Sequence, residues 1–297
     1  MKAFDFSDDF IPFLFALILL SLAIASNSMV VAAVRKKRFL RSTTNYLLVN
    51  LAVADIVNAI FLPFMLIQRY VRFEKGILAD FLCKFFIYYH VPVTASIVST
   101  LTLVVLSVER YHAIVKPMRT VGIRLRKDTV KYAIVAVWIS AIILTLPLYI
   151  SGYYDTTTKI CLHNSDKTFQ QVFVYSFNFI VTFLPFIIIT FCYFQIVREL
   201  YFKNKVAPQN IAAQQDALNK RKIVKLSISV TTAFVLCFFP LAITISLTTL
   251  DSSRFPRKYS QTASVLYFAQ TIINPFLYAF QSTNFRRAFK LILSCRQ

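Results

Sequence analysis

Seven long stretches of this chain contain almost no charged residues, and they constrain the fold more than any other feature. Each exceeds the roughly 20 residues that an α-helix needs to cross about 30 Å of hydrocarbon. A soluble helical protein would interrupt such runs with polar faces, and barrel strands would be about ten residues long with strict alternation. We therefore predict an all-α membrane protein, a single domain over residues 1–297 built as a seven-transmembrane helix bundle. The predicted spans cover about residues 10–34, 42–68, 83–114, 130–152, 169–199, 222–250 and 259–282.

The positive charge of the chain lies mainly on one side of these predicted spans. The net charge is +20, and 23 of the 33 Lys and Arg residues fall in three connecting loops and the segment after span seven. Short loops rich in Lys and Arg remain in the cytoplasm. We therefore expect a multi-pass plasma-membrane protein with residues 1–9 outside, the C-terminus inside, and basic loops that contact anionic membrane lipids. Charge divided among short loops beside a bilayer does not favour a nucleic-acid partner.

Prolines interrupt several of the predicted spans, where they remove backbone N–H groups and provide hinges. Pro275 frees a backbone carbonyl in span seven, and in hydrocarbon this carbonyl needs a polar partner. We expect neighbouring side chains such as that of Asn274 to supply it. A weak point of this kind suits a bundle that changes shape. The prolines within spans are Pro63, Pro92, Pro147, Pro185, Pro240 and Pro275.

Two of the five cysteines lie on the predicted outer side of the membrane. Cys83, at the outer end of span three, and Cys161, in the loop between spans four and five, both face an oxidising space. This placement favours a disulfide between them. After span seven, the apolar and basic residues of segment 284–294 separate onto two helical faces. We predict a short cytoplasmic amphipathic helix there, with Cys295 as a candidate site of palmitoylation.

Short motifs appear in a fixed order along the spans. They are Asn27, Leu51-Ala52-Val53-Ala54-Asp55, Glu109-Arg110-Tyr111, Trp138, Pro185 with Tyr193, Cys237-Phe238-Phe239-Pro240, and Asn274-Pro275-Phe276-Leu277-Tyr278. Together they make the chain resemble rhodopsin-like (class A) G-protein-coupled receptors over essentially its whole length. Pro63 and the Cys83-Lys84 pair are similar to the peptide-receptor branch. The resemblance implies a receptor that binds an extracellular ligand and activates heterotrimeric G proteins.

The resemblance also implies a switch at the inner end of span three, where Glu109 holds Arg110 at rest and releases it on activation. The residues alone leave open a solvated helix end, because adjacent helix positions do not share a face. The basic segment at residues 220–222 rules out a salt bridge from Arg110 to the base of span six. Phe234 and Phe238 either simply pack against each other or act as an aromatic trigger beside the hinge at Pro240. The implied coupling and switch residues are Glu109, Arg110, Tyr111, Met118, Tyr193, Phe234, Phe238, Pro240, Asn274, Pro275 and Tyr278.

Asp55 places an ionisable carboxyl near the middle of the membrane, where a charge is costly unless it is paired or hydrated. One interpretation is a polar knot with Asn27 and Asn274 that holds spans one, two and seven together. The resemblance implies a second interpretation, a sodium site formed by Asp55, Ser99 and Asn274, whose oxygens suit a hard cation. Sodium is the only ion or cofactor that we expect.

The ligand pocket implied by the resemblance is mostly apolar and aromatic and has a basic rim, with His90 at its mouth. An apolar base below a basic rim suits a short peptide, and a lipid or other small apolar ligand is the alternative. Pro92 stands about where amine receptors carry an aspartate, and Phe268 stands where opsins carry a lysine. These residues exclude a monoamine and a retinal Schiff base. Cys83 lies two residues farther from Arg110 than is usual, so the outer part of span three is expected to bulge or unwind. The expected ligand-binding residues are Gln68, Arg69, Tyr89, His90, Val93, Ser96, Phe177, Val181, Phe238, Leu241, Ile245, Ser264 and Phe268.

Other functional classes and partners fit the sequence less well. A channel or transporter would carry more buried charges or half-sequence symmetry. An enzyme is not expected, because the three histidines are scattered and no nucleophile–base pair is apparent. Arrestin binding is expected to be weak, because phosphorylation has few Ser or Thr acceptors on the inner side. Residues 201–222 contain none, and the segment beyond Phe285 contains only Ser294.

Overall fold

Seven helices in the part of the chain that the structure describes are long and apolar enough to cross a membrane. The structure is a computed structural model, and it describes residues 10–67, 76–87, 90–115, 125–155, 157–158, 160–163, 166–203, 211–250 and 257–294. The seven helices confirm the predicted bundle. The end of the bundle that carries Cys83 is called the disulfide end, and the opposite end, which carries Arg110, is called the Arg110 end.

The spans are continuous helices or successions of α-helical and π-helical segments. Span one is Phe10–Lys36, span two is Thr43–Ile67, span four is Val130–Ser151, span six is Ile211–Leu250 and span seven is Arg257–Gln281. Span three comprises Ile77–Leu82, a π-helical turn at Cys83–Ile87, and His90–Val115. Span five comprises Lys167–Asn178, a π-helical turn at Phe179–Phe183, Leu184–Val197 and a second π-helical turn at Arg198–Lys203.

Spans three and six extend beyond the predicted limits. Helix in span three already starts at Ile77, ahead of Cys83, and span six starts at Ile211 rather than near residue 222. Residues 211–221 include three Ala and two Gln, which favour helix in water as well as in a membrane. Hydropathy therefore marks where a helix crosses the membrane and not where the helix itself ends.

A β-hairpin follows span four and adds two short strands that the sequence analysis did not predict. Strand β1, Gly152–Asp155, pairs antiparallel with β2, Ile160–His163, with Tyr154 opposite Cys161. The Asp155 carboxylate accepts hydrogen bonds from the hydroxyl and N–H of Thr158 and from the N–H of Thr157. These bonds close the turn, and the Thr158 hydroxyl in particular lowers the pKa of Asp155.

Span three lies at the centre of the bundle. It packs against spans two, four, five and six, and every residue from position 94 to position 100 is buried. Span four lies at the periphery, where Ile139, Ile142 and Ile143 are more than half exposed. Outward-facing apolar side chains of this kind are expected of a bundle surrounded by lipid.

The helix after span seven, Thr283–Leu293, is amphipathic and docks against the bundle. The side chain of Ser282 caps it by accepting a hydrogen bond from the Phe285 N–H at 3.3 Å. Phe285, Ala288 and Phe289 are buried, while its three basic side chains are exposed. This arrangement confirms the predicted amphipathic helix, and Cys295 lies outside the described residues.

Candidate functional site

At the disulfide end, the β-hairpin is fixed to span three by two connections. Cys83 and Cys161 form the predicted disulfide, with Cα atoms 5.7 Å apart. The carboxylate of Asp80 accepts a hydrogen bond from the Tyr154 N–H at 2.8 Å. The π-helical turn at Cys83–Ile87 accommodates the additional residues between Cys83 and Arg110. The hairpin therefore cannot move independently of the start of span three.

His90 is buried beneath the hairpin, which corrects its predicted position at the mouth of the pocket. Its side chain is 2% exposed, and Nδ1 lies 3.0 Å from the carbonyl oxygen of Lys84. Gly152 passes so close that a Cβ at this position would lie 3.1 Å from His90 Cε1. The imidazole therefore fills the space below the root of the hairpin, and this packing removes it from the rim.

Three buried side chains from spans two, three and seven form a closed hydrogen-bonded ring. The Asn58 amide donates to Ser96 Oγ at 3.0 Å, and the Tyr267 hydroxyl donates to Asn58 Oδ1 at 2.9 Å. The Ser96 and Tyr267 hydroxyl oxygens lie 2.5 Å apart, and with Ser96 as donor every group in the ring is satisfied. Ser96, one of the expected ligand-binding residues, is a member of this ring. Tyr267 also lies 3.1 Å from the Pro92 carbonyl oxygen.

The remaining predicted ligand-binding residues are divided between two apolar clusters and the helix surface. Val181 is buried in a cluster with Ala95, against which Val93 and Phe177 pack. Phe268 is buried with Tyr267 and Ala16, against which Phe238 and Leu241 pack. Outside these clusters, Ser264 donates to the Ser260 carbonyl oxygen and Ile245 is 40% exposed. Gln68, Arg69 and Tyr89 lie outside the described residues.

The carbonyl freed by Pro275 is satisfied from span one and not by Asn274. Asn27 Nδ2 donates to the Thr271 carbonyl oxygen, four residues before Pro275, at 2.7 Å. The amide of Asn274 instead donates to Asp55 Oδ2 at 2.9 Å. Asn274 points towards span two and away from the Thr271 carbonyl, because a helix places successive side chains on different faces.

Several buried oxygens around Asp55 have no hydrogen-bond partner among the described residues. In the predicted sodium site these are Asp55 Oδ1, Ser99 Oγ and Asn274 Oδ1, on side chains that are at most 1% exposed. Buried polar groups left unsatisfied are costly. A carboxylate, a hydroxyl and an amide oxygen suit a hard cation, so the donor set fits sodium. Buried atoms in the same condition elsewhere in spans one and seven include Asn27 Oδ1, both amide atoms of Gln270 and the Tyr278 hydroxyl.

A stack of two aromatic side chains connects the hydrogen-bonded ring to the part of span six that precedes Pro240. The rings of Phe234 and Phe238 are stacked with centroids 5.2 Å apart, just before the kink-forming Pro240. Phe238 also lies 6.1 Å from the ring of Tyr267. A displacement of Tyr267 would therefore press on the aromatic pair next to the proline of span six.

At the Arg110 end, two side chains of the described residues hold Arg110. Its Nε lies 2.6 Å from Glu109 Oε2, and its guanidinium donates to the hydroxyl of Thr44 in span two. The long side chain folds back along the helix, so adjacent positions meet despite facing different directions. Both residues of the ion pair are largely buried, with Arg110 only 14% exposed. The Coulombic attraction between two charges shielded from water in this way is stronger than between two charges in solvent.

Three tyrosines among the other predicted switch residues contact neighbouring elements. The Thr231 hydroxyl lies 3.5 Å from the Tyr193 hydroxyl, which connects spans five and six. Tyr278 stacks on Phe285 of the last helix, with centroids 5.4 Å apart. Tyr111 contacts the ring of Phe191. Met118 lies outside the described residues.

Several polar residues that join the spans were not predicted from the sequence. Asn50 accepts from the Trp138 indole at 2.9 Å and donates to Thr102 at 2.8 Å, so it joins spans two, three and four. Asn58 and Tyr267 were missed as well. The available signal was an amide within an apolar span, as with Asn50 and Asn58, since such groups need buried partners.

Comparison with known proteins agrees with this geometry. A sequence model described as 7 transmembrane receptor (rhodopsin family) matches residues 26–278. The chain is 28% identical over 282 residues to the Allatostatin-A receptor of Bombyx mori, covering 92% of this chain and 76% of that protein. It is 29% identical over 291 residues to Somatostatin receptor type 4 of Rattus norvegicus, covering 95% and 72%. It is 26% identical over 301 residues to the QRFP-like peptide receptor of Branchiostoma floridae, covering 96% and 78%. Because the family match includes Asp55, Arg110 and Asn274, this chain belongs to the rhodopsin family of seven-transmembrane receptors.

Proposed function

We propose that this receptor binds a short extracellular peptide at its disulfide end and activates heterotrimeric G proteins at its Arg110 end. The observation that carries the proposal is the arrangement of the two ends. A hairpin anchored to span three lies at one end, and an arginine held by breakable contacts lies at the other. The central span connects them, so that a change at one end can reach the other through the ring and the aromatic stack.

A peptide is favoured by the relatives and by the chemistry of the disulfide end. The relatives are named for allatostatin-A, somatostatin and a QRFP-like peptide. Apolar and aromatic side chains such as Phe177, Leu241 and Phe238 pack in the half of the bundle towards the disulfide end. A peptide can combine apolar side chains with backbone hydrogen bonds, which suits an apolar base beside a two-stranded hairpin.

The Arg110 end would work by release of an ion pair. Glu109 and Thr44 hold Arg110 while the bundle is at rest. A shift of span three relative to span two would break the contact with Thr44, and Arg110 would then be available to a G protein. Because a ligand can shift this equilibrium only by its differential affinity for the two states, each rest-state contact sets part of the threshold.

We also propose that Asp55, Ser99 and Asn274 hold a sodium ion. Their unpartnered oxygens provide the support for this proposal. A bound cation would neutralise the Asp55 carboxylate and connect spans two, three and seven. We further propose that the disulfide end faces outwards, because the basic loops lie at the opposite end and an oxidising space preserves a disulfide.

Reconstitution with purified G proteins tests the proposed function. The receptor is placed in lipid nanodiscs, and nucleotide exchange on a panel of Gα subunits is measured with a peptide library and, separately, with a lipid library. A peptide should accelerate exchange on at least one Gα subunit. The Arg110→Ala variant, matched for expression, should bind the same peptide without accelerating exchange. Activation by lipids alone would overturn the peptide proposal, and transport of labelled solute without nucleotide exchange would overturn the proposed coupling.

A further inference from the structure

A small cavity lies between spans three, five and six, next to the stacked rings of Phe234 and Phe238. Its volume is about 20 Å³, which is sufficient for one water molecule. Aromatic and aliphatic side chains form most of its wall, and one threonine from each of the three spans also lines it. The lining residues are Thr100, Thr182, Phe186, Ile189, Thr231, Phe234, Val235, Phe238 and Phe239.

The hydroxyl of Thr182 has no hydrogen-bond partner among the described residues, although the side chain is only 4% exposed. Other threonines of the bundle avoid this condition by donating to the carbonyl four residues earlier. Thr94, Thr145 and Thr244 do so at 2.8, 2.9 and 2.7 Å. Thr182 lies in the π-helical turn Phe179–Phe183, where the wider winding moves that carbonyl out of register. The turn therefore leaves the hydroxyl unsatisfied inside the bundle.

The other two threonines can accept hydrogen bonds from a molecule in the cavity. Thr100 donates its hydroxyl hydrogen to the Ser96 carbonyl at 2.9 Å, and that of Thr231 points to Tyr193 at 3.5 Å. Each oxygen keeps lone pairs that can accept. A water molecule that accepts from Thr182 and donates to Thr100 and Thr231 would make three hydrogen bonds, the usual number for a buried water.

We propose that this cavity binds a single water molecule, which joins Thr182 of span five to Thr100 of span three and Thr231 of span six. An apolar guest does not fit this description, because it would leave the Thr182 hydroxyl unsatisfied. The water site lies against Phe234 and Phe238, so it holds three spans together next to the proline kink of span six. The proposal is independent of the ligand and of the G protein.

The substitution Thr182→Val tests the proposal through the sign of its effect. Valine has nearly the shape of threonine and lacks the hydroxyl. In a dry cavity, removal of an unsatisfied buried hydroxyl stabilises the protein. When water is bound, Thr182→Val removes the one hydroxyl that donates a hydrogen bond to that water. We therefore expect the temperature of half-inactivation of the solubilised receptor to fall by about 2–4 °C. An unchanged or higher temperature would overturn the proposal.

Thr248→Val is the matched control, because its hydroxyl donates to the Thr244 carbonyl at 2.8 Å and lines no part of the cavity. It should change the half-inactivation temperature less than Thr182→Val does. A second measurement needs no variant. An experimental map of the unmodified receptor at about 2 Å resolution should contain a water peak within hydrogen-bond distance of Thr182 Oγ1. A cavity without such a peak would contradict the proposal even if Thr182→Val failed to reach the membrane.

Discussion

The hydroxyl of Tyr267 in span seven donates a hydrogen bond to the side-chain oxygen of Asn58 in span two at 2.9 Å. The amide of the same asparagine donates to Ser96 in span three, so three spans meet at one buried ring. Phe238 of span six contacts the ring through Tyr267. The relative positions of four spans therefore depend on a single phenolic hydroxyl.

Tyr267→Phe should loosen this junction without creating a cavity. The variant leaves Asn58 Oδ1 and the Ser96 hydroxyl without their ring partner, which costs about 1–3 kcal/mol. We expect a lower half-inactivation temperature and higher ligand-independent nucleotide exchange. Tyr259→Phe is the control, since Tyr259 is 64% exposed in the same span and should show neither effect. Equal behaviour of the two variants would contradict a role for the ring.

Substitution of either disulfide cysteine should lower surface expression and ligand binding. The bond joins residues 78 positions apart, and loss of a native disulfide typically costs about 2–5 kcal/mol. Cys83→Ala, Cys161→Ala and the double variant should be equally impaired, because each removes the same bond. Additive losses would show that the two sulfurs act separately. Cys237→Ala, which removes a buried free thiol, should have a smaller effect.

Thr44→Val and Glu109→Gln should each raise basal signalling, and the double variant should raise it further. Each substitution removes one of the two contacts that hold Arg110. A hydrogen bond to a charged group contributes about 1.5–3 kcal/mol, so each change should increase ligand-free exchange by roughly 10- to 150-fold. Thr43→Val is the control at the adjacent position. A silent double variant would show that neither contact restrains the receptor.

Asp55→Asn should abolish any effect of sodium on the receptor. We expect sodium chloride to raise the half-inactivation temperature of the unmodified receptor relative to potassium chloride at the same ionic strength. The variant removes the anionic ligand, so the two salts should then act equally. Asp166→Asn, at an exposed position, should retain the difference. A sodium effect that persists in Asp55→Asn would place the ion elsewhere.

Asn27→Ala should destabilise span seven, although the substitution lies in span one. It leaves the Thr271 carbonyl unsatisfied in the interior, at a cost of about 1–3 kcal/mol. Asn45→Ala removes a bond of the same kind and length, to the Leu40 carbonyl, at a partly exposed site where water can replace it. The half-inactivation temperature should therefore fall more for Asn27→Ala. The reverse order would show that the proline carbonyl does not need Asn27.

The bundle could be predicted from the sequence because the local composition of each span identifies it as membrane-spanning. The disulfide followed in the same way, from two cysteines on one side of the membrane. The ring could not be predicted, because it depends on Asn58, Ser96 and Tyr267 reaching the same depth in three different spans. Sequence spacing within one helix does not fix that depth, which results from packing between helices.

The π-helical turns show a second limit of sequence reasoning. The turn at Phe179–Phe183 reads as an ordinary apolar helix, since a change from four-residue to five-residue hydrogen bonding leaves no mark on composition. The register of every side chain beyond the turn nevertheless changes. The partner of the Pro275 carbonyl was misassigned for a related reason, because the sequence neighbour Asn274 faces away from it.

The bond between Asn27 and the Thr271 carbonyl makes the bend of span seven depend on the tilt of span one. A transmembrane helix adjusts its tilt when the thickness of the surrounding bilayer changes. Less than a quarter of the membrane-crossing part of span one is buried inside the bundle, so the span meets that change directly. A change in bilayer thickness should therefore reach the proline of span seven through one amide.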